Sequence, residues 1–240
     1  MSDETEEKRG WKRPSEASTG GRKLAIKSRK AKNESSKNWI ERQLNDPYVQ
    51  RAIADGWRAR SSYKLLELDE KFGLLKKGQR VCDLGAAPGG WAQVALHKGA
   101  RSVVGIDLLE VAPMDGATFL LMDFLDDDAP AALMAALGGP PDLVMSDMAA
   151  NTTGHRTTDQ IKTGALAEAA AHFAMEVLAP GGAFVTKAFQ GGLDAPLLAL
   201  LRKNFAEVKH AKPPASRAGS PEIFLVAKGF RGRAAGADSP

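Results

Sequence analysis

Lys187 stands inside the apolar run Phe184-Val185-Thr186-Lys187-Ala188-Phe189, and its same-face neighbours, Val185 and Phe189, are both apolar. A lysine in the middle of a buried strand is costly unless it is paired. Three more ionisable residues stand out beside it. Lys64 lies in Arg60-Ser61-Ser62-Tyr63-Lys64-Leu65, Asp147 in Ser146-Asp147-Met148-Ala149, and Glu222 in Ser220-Pro221-Glu222-Ile223-Phe224. Two lysines and two acids from separated positions can neutralise one another at one site, and such a site can hold and move a proton. A structural ion-pair cluster, or four separately solvated charges, accounts for the same residues taken singly.

A second constellation follows the chain's strands. In an open α/β sheet, ligands bind beyond the carboxyl ends of the strands. The first strand runs into Asp83-Leu84-Gly85-Ala86-Ala87-Pro88-Gly89-Gly90-Trp91, where small residues let backbone pass close to a ligand. Asp107 near the end of the second strand is placed to accept hydrogen bonds from ribose hydroxyls. Asp123 at the end of the third can take the exocyclic amine of adenine. A dinucleotide site wants G-x-G-x-x-G to seat a pyrophosphate on a helix N-terminus, and G-A-A-P-G-G does not fit. S-adenosylmethionine has no phosphate and carries a sulfonium cation, so an acidic residue at the first loop and carboxylates after the next two strands suit it better. Turn chemistry alone is the competing account of Gly85, Gly89 and Gly90.

The elements that must position these residues alternate along the chain. Helical spacing of Leu65, Leu68 and Phe72 predicts a helix within Trp57–Phe72, and helical pattern begins from about Asn38. Strands are expected at 81–85, 102–109, 117–123, 142–148 and 181–189. Helices are expected at 91–98, 130–137, 158–178 and 195–204. Residues 207–212 and 222–230 close the chain as two strands joined by a Pro/Ser/Arg/Gly loop. The fold class is therefore α/β: a mostly parallel seven-stranded sheet with helices on both faces, its last pair able to form a hairpin. One domain is expected over 38–230, with a basic, disordered arm over 1–37 and a frayed tail over 231–240.

Composition removes several classes. The single cysteine, Cys82, excludes a disulfide framework within the chain and a multi-thiolate zinc site. The four histidines lack ligand spacing, so no metal is expected. No apolar run approaches membrane-spanning length, and the first residues lack the apolar core of a secretory signal. A reduced, cytoplasmic compartment and a monomer are the expectation. The formal charge of +4 is unevenly spread: residues 1–60 hold 15 Lys/Arg against 9 Asp/Glu, and residues 61–240 hold 18 against 20. The stretch Lys8–Lys37, with 11 basic and 2 acidic residues, reads either as a solubilising tail or as a phosphate-seeking arm. Arg58, Arg60, Lys212 and Arg217 are further candidate RNA contacts, although a solvated surface charge explains each one singly.

Read in order, SSYKLLELDEKFGLL, CDLGAAPGGW, SDMAAN, FVTKAFQGG and SPEIFLVAKGF resemble the FtsJ/RrmJ family of RNA 2′-O-methyltransferases over roughly Arg60 to Gly229. The resemblance implies a Rossmann-like methyltransferase fold and a catalytic Lys-Asp-Lys-Glu tetrad at Lys64, Asp147, Lys187 and Glu222. It implies S-adenosyl-L-methionine as cofactor, bound at the positions of Gly89, Trp91, Asp107, Asp123 and Asp147. As substrate it implies 23S ribosomal RNA of the large ribosomal subunit, methylated on the ribose of the A-loop uridine. Transfer RNA as acceptor, a non-catalytic RNA-binding ribosome assembly factor, and a small-molecule methyltransferase are the competing readings. The intact set of four charges argues against a mere binder, and the basic arm argues against a small substrate.

Overall fold

The computed structural model describes residues 45–150, 155–190 and 195–232. The arm expected over 1–37, the start of the helical pattern at Asn38 and the tail from 233 onward lie outside them. Seven strands form one sheet: β1 (Arg80–Leu84), β2 (Ser102–Asp107), β3 (Ala117–Leu121), β4 (Leu143–Ser146), β5 (Ala183–Phe189), β6 (Phe205–Ala211) and β7 (Glu222–Phe230). Their spatial order is β3-β2-β1-β4-β5-β7-β6. β1 to β5 pair in parallel, and β7 runs antiparallel to both neighbours, β5 and β6. The helices among the described residues are α1 (Pro47–Ala54), α2 (Ser62–Phe72), α3 (Gly90–His97), α4 (Ala129–Leu137), α5 (Arg156–Val177) and α6 (Ala195–Asn204).

Local chemistry sets the element ends. Asp46 caps α1, its carboxylate accepting from Tyr48 N at 3.0 Å, and Pro47 supplies the first helical residue. The helix expected within Trp57–Phe72 starts only at Ser62. Before it, Trp57 N donates to the Ala52 carbonyl and Arg58 N to Gln93 Oε1 at 2.9 Å, so residues 57–61 form a connector. β2 and β3 stop at Asp107 and Leu121, two residues short of their expected ends. The Asp107 and Asp123 carboxylates turn back to accept from Leu109 N and Leu125 N, at 2.8 and 2.9 Å. The acids that end these strands are the same two that read as ligand contacts.

Strand alternation divides the core into two layers. Cys82, Leu84, Val104, Ile106, Phe184 and Leu225 face α4, α5 and α6. Val81, Val103, Met145, Val185, Phe224 and Val226 face α2 and α3. Phe184, Phe205 and Phe224 are fully buried, each contributing roughly 1.5–3 kcal/mol of burial free energy. By the same alternation Asp83, Lys187 and Glu222 fall on the α2 face. Because β7 is reversed, its first residue arrives at the edge where the parallel strands end.

Candidate active site

At that edge the four ionisable residues meet. Lys64, from α2, places Nζ 2.8 Å from Glu222 Oε2 and 3.4 Å from Asp147 Oδ1. Lys187, from β5, places Nζ 3.1 Å from the same Asp147 oxygen and also donates to the Asp147 carbonyl. Lys64 and Lys187 are each 8% exposed, so these charges interact where water screens them little. Burial pushes the Lys64 amine down, but Asp147 and then Glu222 outweigh it and hold it above the ordinary lysine range. Burial pushes the Asp147 carboxyl up, and Lys187 and then Lys64 outweigh it, leaving it below the ordinary range. Glu222 is fixed from behind: Ser216 Oγ donates to its Oε1 at 2.7 Å, and its own N–H donates to Ser220 Oγ at 3.2 Å.

The loop after β1 lies beside this cluster. Gly85 has φ +78°, and a Cβ there would fall 2.7 Å from Met148 Cγ and 3.1 Å from the Met148 backbone. Only glycine lets the loop lie so close to the segment carrying Asp147. Asp107 braces the loop, its Oδ2 accepting from Ala87 N at 2.8 Å. Gly89 opens α3 at φ +99°. Trp91 is 3% exposed, with its indole N–H donating to the Ser61 carbonyl at 2.9 Å and its ring 5.8 Å from that of Phe224. Its side chain thus anchors α3 to α2 within the core. Asp123 is half-buried beyond the end of β3.

Arg58, Arg60, Lys212 and Arg217, the candidate RNA contacts outside the arm, each have partners within the protein. Arg58 donates to the carbonyls of Ala112 and Pro113, both at 2.7 Å, and to that of Pro88 at 3.4 Å. Arg60 donates to the Ala215 carbonyl at 2.6 Å and lies 3.2 Å from Asp46 Oδ2, which Arg217 also approaches at 3.3 Å. Glu67 accepts from Ala215 N at 2.7 Å. Lys212 donates to the Ser220 carbonyl at 2.5 Å. These bonds strap the loop between β6 and β7, with Ser216 and Ser220, onto α2.

Asp83 is the acidic residue that the sequence places at the first loop. It is fully buried, and neither carboxylate oxygen has a hydrogen-bond partner of good geometry. Burial, reinforced by the Asp147 charge, pushes its carboxyl up to about 8, against a weak opposing influence from the Ala92 amide. That shift favours the uncharged acid over a counter-charge beside the first loop. A charged residue type inside an apolar strand is the same signal that marks Lys187.

A mostly parallel sheet, covered by helices on both faces and carrying its ionisable cluster at the carboxyl edge, defines an α/β enzyme with a Rossmann-like sheet. Comparison with known proteins gives the family. The model of the FtsJ-like methyltransferase family matches residues 57–230, and the chain belongs to that family. The ribosomal RNA large subunit methyltransferase E of Sphingopyxis alaskensis is 60% identical over 215 residues, covering 89% of this chain and 94% of that protein. The protein of the same description from Hyphomonas neptunium is 55% identical, covering 96% of this chain and all of its own length. A solved structure described as a ribosomal RNA methyltransferase from Plasmodium falciparum superposes with a TM-score of 0.64 at 28% identity, covering 74% of this chain and all of that one.

Proposed function

We propose that this protein transfers a methyl group from S-adenosyl-L-methionine to a ribose 2′-hydroxyl of 23S RNA in the large ribosomal subunit, in the cytoplasm. The observation that carries the reading is the Lys64–Asp147–Lys187–Glu222 assembly at the carboxyl edge of the sheet, in a chain of the FtsJ-like family. The descriptions of its relatives support the RNA substrate. The A-loop uridine is the target that the resemblance implies. No observation favours transfer RNA or a non-catalytic role.

The residues present fit the cofactor. Each Asp107 oxygen accepts one backbone N–H and keeps a lone pair for a ribose hydroxyl. Leu108, Leu109 and Leu125 expose large apolar side chains next to Asp107 and Asp123, as a purine-binding surface would. The loop at Gly85 and Gly89 and the acidic edge at Asp147 complete the set. S-adenosyl-L-methionine, when bound, supplies a methyl group already activated by its sulfonium.

The protein's own task is to align the hydroxyl and take its proton. Lys64 has two carboxylate partners, Asp147 and Glu222, which hold it charged. Lys187 pairs with Asp147 alone among the described residues, so Lys187 is the amine assigned to the ribose hydroxyl and its proton. Asp147 aims both amines from one carboxylate, and Glu222 fixes Lys64. Replacing Lys187 by Ala leaves Asp147 paired with Lys64. Turnover on unmodified large subunits should then fall by roughly 10²–10⁴-fold, while the Kd for the cofactor stays within about threefold of wild type, a change under 1 kcal/mol. Transfer of labelled methyl, with the product mapped to its nucleotide, checks both the residue and the substrate. Undiminished turnover in Lys187→Ala would sink the assignment.

A further inference from the structure

Beside the tetrad lies an open cavity of about 580 Å³, within the size range of ligand sites. Three of its walls are the direct chain continuations of tetrad residues. Ala149 and Ala150 follow Asp147, Phe189 and Gln190 follow Lys187, and Ser220 and Pro221 precede Glu222. Among the described residues, the rest of the lining comes from Asp159 and Gln160 at the start of α5 and from Lys212, Ala218 and Gly219 of the segment between β6 and β7. Gln190 N donates to the Pro221 carbonyl at 2.8 Å, joining two of these walls.

The cavity's position relative to the sheet is informative. The loop after β1, with Asp107 and Asp123, stands over β1, β2 and β3. The cavity stands over β4, β5 and β7, on the far side of Asp147. Displacement at a methyl carbon is in line, so donor and acceptor must approach from opposite sides. The lining chemistry suits one kind of acceptor. Phe189 is a half-buried aromatic wall. The Gln160 amide donates to the Gln190 carbonyl at 3.1 Å and keeps its oxygen for a polar base edge, which the Gln190 side chain can also meet. The exposed Lys212 brings a cation to a rim that also carries Asp159. Single-stranded nucleic acid is held by that combination of an aromatic face and positive charge.

We infer that this cavity receives the unstacked nucleotide whose ribose is methylated, with its base stacked on Phe189 and its phosphate backbone toward Lys212. The inference rests on the methyl-transfer reading and extends it to the acceptor. Phe189 is the stacking contact: every base offers a π face, so it selects a nucleotide splayed out of its stack, whatever its base.

Two variants test this in the full chain, with methyl transfer to unmodified large subunits as the assay and calorimetric cofactor binding as the control. Phe189→Ala removes the platform. Ala218→Trp fills the cavity from an exposed loop position and removes no core side chain. Both should raise the KM for the subunit by about tenfold or more, the scale of removing one base stack. Phe189→Tyr should restore it, and the cofactor Kd should stay within about twofold in all three. Wild-type KM in both Phe189→Ala and Ala218→Trp would overturn the assignment, as would a rise in Ala218→Trp with none in a folded Phe189→Ala. Should Phe189→Ala fail to fold, Ala218→Trp decides alone. A wild-type protein that binds cofactor but methylates no RNA marks the failure of the underlying reading, and the acceptor pocket falls with it.

Discussion

A carboxyl group buried without a partner sets a testable pH dependence. Asp83 ordinarily titrates near 3.8 and is pushed up to about 8 in the folded protein. Between those values the unfolded chain has released this proton and the native protein retains it, so stability falls as pH rises through the window and levels off above it. Asp83→Asn keeps the shape and removes the ionisation. Its Tm relative to wild type should grow with pH from about 4 to about 8, by roughly 5 °C or more, and then stay constant. Thermal melts across that range check it, and a difference independent of pH would refute it. Lys187 is legible in the sequence because an amine flanked by Val185 and Phe189 has to be explained. Asp83, between Cys82 and Leu84, carries the same mark but is easily absorbed into the glycine-rich motif that follows it. The partners of Arg60 are illegible: Ala215 lies 155 residues away, and nothing local announces that bond.

Among the elements, apolar runs reveal the strands, and their ends shift by about two residues where a side chain turns back on its own backbone. Asp107 and Asp123 terminate their strands by that means. The connector at 57–61 is harder to see, because its hydrogen bonds go to α1 and to Gln93 of α3. Arg58 in this connector holds the carbonyls of Pro88, Ala112 and Pro113, so it ties the loop after β1 to the segment after β2. Those are the two segments assigned to the cofactor. Arg58→Ala should therefore raise the Kd for S-adenosyl-L-methionine by roughly tenfold, the scale of one charge-assisted hydrogen bond. It should leave the salt dependence of RNA binding unchanged. Calorimetry and a salt titration separate the two roles, and the reverse pattern would return Arg58 to the RNA surface.

At the scale of the whole molecule, the excess positive charge and the proposed catalytic residues occupy different parts of the chain. The region 61–240 carries 18 basic and 20 acidic residues, and its tetrad adds nothing to the net count. The stretch Lys8–Lys37 carries 11 basic and 2 acidic residues. Deleting residues 1–37 should weaken RNA binding and flatten its log–log salt dependence by about 0.7–0.9 for each phosphate no longer neutralised, with cofactor binding unaltered. An unchanged slope would assign the arm to solubility. The reversed β7 carries a consequence of another kind, in time. A ribosome makes the chain from its N-terminus, and β7, wedged between β5 and β6, emerges after every other strand of the sheet. Until then β5 has a bare edge, β6 has no place to dock, and Lys64 lacks one of its two acids. A nascent chain that has not yet released β7 therefore has an incomplete Lys64–Asp147–Lys187–Glu222 cluster, and the proposed centre is assembled only once that strand has slotted home.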